Sequence, residues 1–186
     1  ARKEHYSARE LERQIDSGYY ERLAVSSGKA PTSLEAREMS GVLRDMYMLE
    51  FLDLPEPYLE KDLKKAIIKN FKKFLIEFGR DFLFMGEEYR LQVGTKDYYV
   101  DLLFYHRELQ FLVAIDLKID DFKPEYLGKM EFYLEALDRD EKKPHENPSV
   151  GIILCKSADA DVVEYALNRN MTSTMVAEYR TKLIDK

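Results

Sequence analysis

Two aspartates and a lysine, Asp101, Asp116 and Lys118, are the side chains whose types and spacing point to chemistry. They sit in the stretch Tyr98 to Ile119, where two runs of β-branched and aromatic residues flank the polar break His106-Arg107-Glu108. That pattern predicts two antiparallel strands joined by a tight turn, both central in a sheet. Alternation puts Asp101 on a face with Tyr99, Leu103 and Tyr105, and Asp116 on a face with Ala114 and Lys118. Phe111, Val113, Ile115 and Leu117 make a plain core face. A turn centred between Arg107 and Glu108 sets Asp101 opposite Ala114 and diagonal to Asp116; a longer loop sets the two aspartates directly opposite. Either way the reading places them on one face.

Two carboxylates among apolar residues repel each other and lose solvation, so they need a cation, a shared proton or access to water. Hard oxygen ligands of this kind suit Mg²⁺ or Mn²⁺. Lys118 is then placed to orient a water or to offset charge growing on a phosphate. The ordinary alternative is an i, i+2 ion pair at a strand end, and Asp101 on the preceding strand weighs against it.

The elements that must position this group follow from periodicity. Leu59, Leu63, Ile67, Phe71, Phe74 and Phe78 recur at helical spacing up to Gly79, which predicts one amphipathic helix. Glu77 falls in its last turn, facing the negative end of the helix dipole. A bound cation would account for that placement, as would simple exposure beside the core stripe. Lys61, Lys64, Lys65, Lys69, Lys72 and Lys73 line much of the remaining surface, as a solvated face or as a track for a phosphate backbone. Phe82 to Met85 and Tyr89 to Val93 read as two strands or one bent strand. Pro124 opens a helix to about Leu137, with Leu127, Met130, Leu134 and Leu137 as its core stripe. Tyr126, Lys129 and Tyr133 form a neighbouring stripe, facing the carboxylates or simply edging the core. Val150 to Cys155 is a buried strand, parallel to its neighbour because a helix precedes it. A helix from about Asp159 to Leu167 and a strand, Thr174 to Glu178, complete an α/β order.

Upstream, Ser7 and Glu10 form a capping-box pattern that predicts a helix from about Ala8 to about Ala24. Ser33 to Leu54 is weakly helical, read as one or two short helices. The expected division is a helical extension over 1–50 and a main domain over 51–186.

The chain has 186 residues, 45% of them hydrophobic and 34% charged. Cys155 is its one cysteine, which suits a reducing cytoplasm. No apolar run approaches the ~20 residues that cross a bilayer, so no membrane partner is expected. A first residue of Ala1 rather than Met suggests a processed chain or a fragment. The net charge of −6 argues against indiscriminate coating of nucleic acid, though not against a local basic groove. There is no GxGxxG, P-loop, nucleophile elbow or zinc-spaced Cys/His cluster. His106 reads as a surface loop residue and Cys155 as an inert core thiol.

The succession of a helix with Glu77, strands, Asp101, Asp116-Leu117-Lys118, helix and strand resembles the PD-(D/E)xK nuclease fold, an α/β core with a mixed sheet flanked by helices. Phe74-Leu-Ile-Glu-Phe-Gly79, Tyr99-Val-Asp-Leu-Leu-Phe-Tyr-His106, Phe122-Lys-Pro-Glu-Tyr126, Phe132-Tyr-Leu134, Gly151-Ile-Ile-Leu-Cys-Lys156 and Val163-Glu-Tyr-Ala-Leu167 all resemble its YhcG-type branch. Arg9-Glu-Leu-Glu-Arg-Gln-Ile-Asp-Ser-Gly18 resembles the end of that family's helical N-terminal domain, which implies a C-terminal fragment with a remnant that packs on another subunit, a homo-oligomer. The resemblance implies Asp101 and Asp116 on the metal, Lys118 on the attacking water and Glu77 as an auxiliary carboxylate. Asp116 stands where the family more often has Glu, and Lys129 where Gln is usual. Lys129 and Tyr133 are the expected substrate contacts.

The expected activity is metal-dependent hydrolysis of phosphodiester bonds in DNA, with Mg²⁺ or Mn²⁺, in the handling of foreign or damaged DNA. The rival is a catalytically silent nucleic-acid-binding or assembly module on the same fold. A phosphatase acting on small esters is a third reading.

Overall fold

The computed structural model describes residues 43, 45–79, 81–168 and 173–181. The helix expected from Ala8 to Ala24 and the upstream part of the weakly helical stretch lie outside the described residues. The described residues fall in a compact unit that begins at Leu43.

Six strands form one mixed sheet: β1 (Met46–Met48), β2 (Phe82–Val93), β3 (Lys96–His106), β4 (Phe111–Leu117), β5 (Val150–Cys155) and β6 (Thr174–Arg180). Their order across the sheet is β1-β6-β5-β4-β3-β2. β2, β3 and β4 are antiparallel neighbours, and β4, β5, β6 and β1 run parallel. β4 and β5 are buried along their whole length, β5 as an unbroken apolar run and β4 as a run broken by Asp116 alone. Phe82 to Val93 is one strand, with an irregularity between Phe84 and Gly86 that supplies the expected bend.

Two expectations change. Met46–Met48 is a strand rather than part of a helix, because pairing with β6 supplies its backbone partners and buries Tyr47. Among the described residues of that stretch, only Glu50–Leu52 is helical, as a single tight turn. The apolar stripe from Leu59 to Phe78 forms two helices, α1 (Glu60–Lys69) and α2 (Phe71–Phe78), broken at Asn70. The Asn70 amide donates to the Ala66 carbonyl, a local bond that competes with helix continuation. Asp62 caps α1 by accepting the Leu59 N–H.

The helices α1 and α2 cover one face of the sheet. Phe74 and Phe78 meet Phe104, with ring centroids 6.2 and 5.3 Å away, and Phe78 meets Phe82 edge-on at 4.7 Å. Such ring pairs add about 0.5–1.5 kcal/mol each beyond the area they bury. The helix α3 (Glu125–Ala136) covers the other face, where Met130 and Leu134 pack with Leu103, Leu112, Ala114 and Ile153. A last helix, α4 (Ala160–Leu167), is capped by the Asp159 carboxylate, which accepts the Asp161 and Val162 N–H groups. No helix among the described residues is long and apolar enough to cross a membrane.

His106 is buried, not a surface loop residue. Its ring stands edge-on to Phe82 at 4.7 Å, and its Nδ1 accepts the Leu109 N–H at 3.1 Å, closing the turn between β3 and β4. Burial holds its pKa below the ordinary histidine value. Burial also pushes the Cys155 thiol up to about 12, which keeps it protonated and unreactive.

Candidate active site

The two central strands part where the carboxylates lie. The ladder between β3 and β4 runs from His106↔Phe111 to Leu102↔Ile115 and ends there. One step further in the same register, Asp101 faces Asp116; the turn takes up residues 107–110, so the longer of the two loop lengths holds. Instead of a further ladder bond, Asp101 Oδ2 accepts the Leu117 N–H at 2.9 Å. One carboxylate oxygen is thereby fixed by backbone, and Oδ1 is left for other partners.

Strict alternation fails at this point. Val100 and Leu103 both belong to the core under α3, whereas Asp101 reaches back to α1, so Asp101 does not share a face with Leu103. The neighbouring strand is distorted alongside. Glu88, which falls between the pairs Glu87↔Leu102 and Tyr89↔Val100 and so faces Asp101, has a left-handed φ of 44°.

Helix α1 sends two charged side chains to the site, one turn apart on one face. Lys64 Nζ lies 3.1 Å from Asp101 Oδ1 and 2.8 Å from Glu88 Oε1. Glu60 Oε1 lies 3.9 Å from Lys118 Nζ. Burial raises the Glu60 carboxyl above its ordinary pKa; Lys118 opposes this, and the charges of Asp101 and Asp116 add to it. One carboxyl on α1 thus senses both aspartates and the lysine.

Asp116 is 1% exposed and lies between two ammonium groups. Its Oδ1 accepts from Lys129 Nζ of α3 at 2.8 Å. Its Oδ2 lies 2.8 Å from Lys118 Nζ, yet no donor is aligned on that buried oxygen. Lys118 is itself 7% exposed, donates to the Leu117 carbonyl at 3.3 Å and stands over the Tyr126 ring at 5.1 Å. Burial by itself would lower the Lys129 pKa, but the hydrogen bond and charge of Asp116 outweigh it, and the ammonium is held above its ordinary value. Two ammoniums around one buried carboxylate offset a desolvation cost that neither pair would carry alone.

The structure therefore brings together Asp101, Asp116, Lys118 and Lys129. It adds Glu60 and Lys64, which periodicity could not separate from the other charged residues of α1. Their only signal was position, one turn apart and flanking the buried Leu63 and Ile67. Glu77 is buried at the end of α2, where its Oε1 accepts the Met48 N–H of β1 at 3.1 Å. A backbone amide meets the charge that had suggested a cation, and Glu60 is the acid beside Lys118. Tyr133 is buried, donates its hydroxyl to the Tyr99 carbonyl at 2.7 Å and lies under Lys129, whose Nζ is 5.3 Å from its ring. It supports Lys129 rather than offering a free surface.

No three His, Cys, Asp or Glu side chains among the described residues form a ready cage for a metal. The donor set nevertheless suits Mg²⁺, which takes one or two carboxylates and completes its shell with water and phosphate. Asp116 Oδ2, buried without an aligned donor, fits the same need.

The model of the YhcG PDDEXK nuclease domain matches residues 40–186. "Putative nuclease YhcG" of Escherichia coli (strain K12) is 36% identical, over 97% of this chain and 50% of that protein. The chain thus spans about half the length of this curated relative. Among solved structures, a repair endonuclease from Pyrococcus abyssi has a TM-score of 0.41 and 19% identity, over 69% of this chain and 49% of the other. A complex named EndoMS-dsDNA2 has a TM-score of 0.42 and 18% identity, over 72% and 49%. With its family's nuclease domain matched from residue 40 to residue 186, the chain belongs to the YhcG family of PDDEXK nucleases.

Proposed function

We propose that this domain hydrolyses phosphodiester bonds in DNA with the help of Mg²⁺ or Mn²⁺ held by Asp101 and Asp116. The observation that carries this reading is the ladder of β3 and β4, which ends at Leu102↔Ile115 so that Asp101 and Asp116 are the next residue on each strand, with Lys118 Nζ 2.8 Å from Asp116. When bound, the ion supplies a Lewis acid for the phosphate and lowers the pKa of a coordinated water. The chain's own residues do the rest. Leu117 N–H fixes the Asp101 carboxylate through Oδ2, so Oδ1, with Lys64 beside it, stays aimed at the site. Lys118, steadied by Asp116 and Glu60, orients the attacking water and offsets charge on the phosphate as the new bond forms. Lys129, half-exposed at the rim, meets a strand phosphate. Glu77 serves the fold, on the amide of β1.

Within this proposal the protein works on foreign or damaged DNA in the cytoplasm, as an assembly of copies.

Plasmid incubated with Mn²⁺ tests the reading. The wild type should nick or linearise it, and Asp116→Asn and Lys118→Ala, each shown to be folded by circular dichroism, should not. Equal cleavage by all three proteins would rule the assignment out. DNA binding without cleavage by any of them would instead indicate a silent binding module.

A further inference from the structure

We propose that Lys64 is a positioning residue for the substrate phosphate, released to it when a divalent cation takes its place on Asp101, so that cation and nucleic acid bind cooperatively. This inference rests on the metal reading above and goes beyond it.

The argument begins with the two oxygens of Asp101. Oδ2 is committed to the Leu117 amide, a bond that replaces a rung of the sheet and cannot be given up cheaply. Oδ1 is held by Lys64 at 3.1 Å. A cation that binds Asp101 without breaking the sheet therefore approaches Oδ1, where the Lys64 ammonium competes with it by charge and by space. A lysine carries its charge on a flexible stem and turns easily to a new partner.

Glu88 determines where that ammonium goes. It is mostly exposed, with a side chain 65% accessible against 18% for Lys64, and its Oε1 lies 2.8 Å from Lys64 Nζ. A left-handed backbone at 44° holds it across from Asp101, in the strand that borders β3. Glu88 thus keeps the displaced charge beside the site instead of letting it swing into water. An ammonium with one partner lost and one partly hydrated is ready for a phosphate oxygen.

Charge balance points the same way. Asp101, Asp116, Glu60 and Glu88 face Lys64, Lys118 and Lys129, so the carboxylates are largely neutralised already. Adding a divalent ion leaves an excess of positive charge at the site, which a polyanion relieves. Each ligand thereby favours the other, and by linkage the effect is reciprocal.

The test measures equilibrium binding rather than turnover. Mn²⁺ affinity is read from the paramagnetic resonance signal of free Mn²⁺, and DNA affinity from the anisotropy of a labelled, cleavage-resistant phosphorothioate duplex with and without Mn²⁺. Lys64→Met should bind Mn²⁺ at least about 5-fold more tightly than wild type without DNA, because no ammonium competes. Mn²⁺ should raise DNA affinity about 10-fold in the wild type and less than about 3-fold in Lys64→Met, with Lys64→Arg between them. A folded Lys64→Met protein that binds Mn²⁺ no more tightly, or keeps the full enhancement, overturns the inference. Asp101→Asn separates the two levels. If it abolishes Mn²⁺ binding while Lys64→Met behaves as wild type, only the role of Lys64 falls; if it binds Mn²⁺ as wild type does, the metal reading falls and this inference with it.

Discussion

Asp116 is the residue on which both stability and chemistry converge. It stands between Lys118 and Lys129, nearly excluded from water, and removing it leaves the buried Lys118 ammonium without its nearer carboxylate. Asp116→Ala should cost about 3 kcal/mol in urea unfolding, since breaking a buried pair strands its partner. Replacing Lys118 by Met in the same chain should restore part of that loss. Simple additivity of the two changes would show that the pair does not interact. His106 makes a second prediction at this scale. Its folded pKa lies below the unfolded value near 6.5, so both states are neutral above that pH and stability there is complete. As pH falls below about 6.5 the unfolded chain takes up a proton that the folded one resists, and stability declines. Urea midpoints at pH 8 and pH 5.5 should show the drop, and His106→Gln should flatten it.

At the scale of elements, the active-site geometry depends on how closely α3 approaches β5. A Cβ built on Gly151 would stand 2.5 Å from Met130 Cγ and 2.6 Å from Met130 Sδ, one residue along α3 from Lys129. Gly151→Ala should therefore destabilise by about 1–3 kcal/mol, as overpacking does. A Met130→Ala change in the same protein should relieve it, and an unchanged melting temperature for Gly151→Ala would contradict the packing described. What was legible beforehand follows the same logic. Strong local patterns gave the central hairpin and the parallel strand Val150 to Cys155, and so put Asp101 and the Asp116-Leu117-Lys118 motif on adjacent strands with the register left open. Contacts between remote segments left no local trace. Nothing in Met46–Met48 announces its partner β6, Asn70 looks like a tolerable helix residue, and Glu60 is one acid among many until α1 is laid on the sheet. The amide that Glu77 serves likewise lies 29 residues away, out of reach of any local pattern.

At the scale of the whole molecule, a net charge of −6 requires, on the proposed function, that DNA be held by a few placed cations and not by a broad basic surface. Binding should therefore weaken with salt along a shallow slope, with each neutralised phosphate worth about −0.9 in log K against log salt. Lys129→Met should reduce the slope by about one such unit when binding is measured in Ca²⁺ without cleavage. An unchanged slope would remove Lys129 from the interface. The central claim concerns the meeting of the two aspartates on one ion, and anomalous scattering from a crystal soaked in Mn²⁺ measures it directly. The account predicts a single peak coordinated by Asp101 Oδ1 and the Asp116 carboxylate, with Lys64 moved off Asp101. A peak bound elsewhere, with both aspartates still on their lysines, would contradict it.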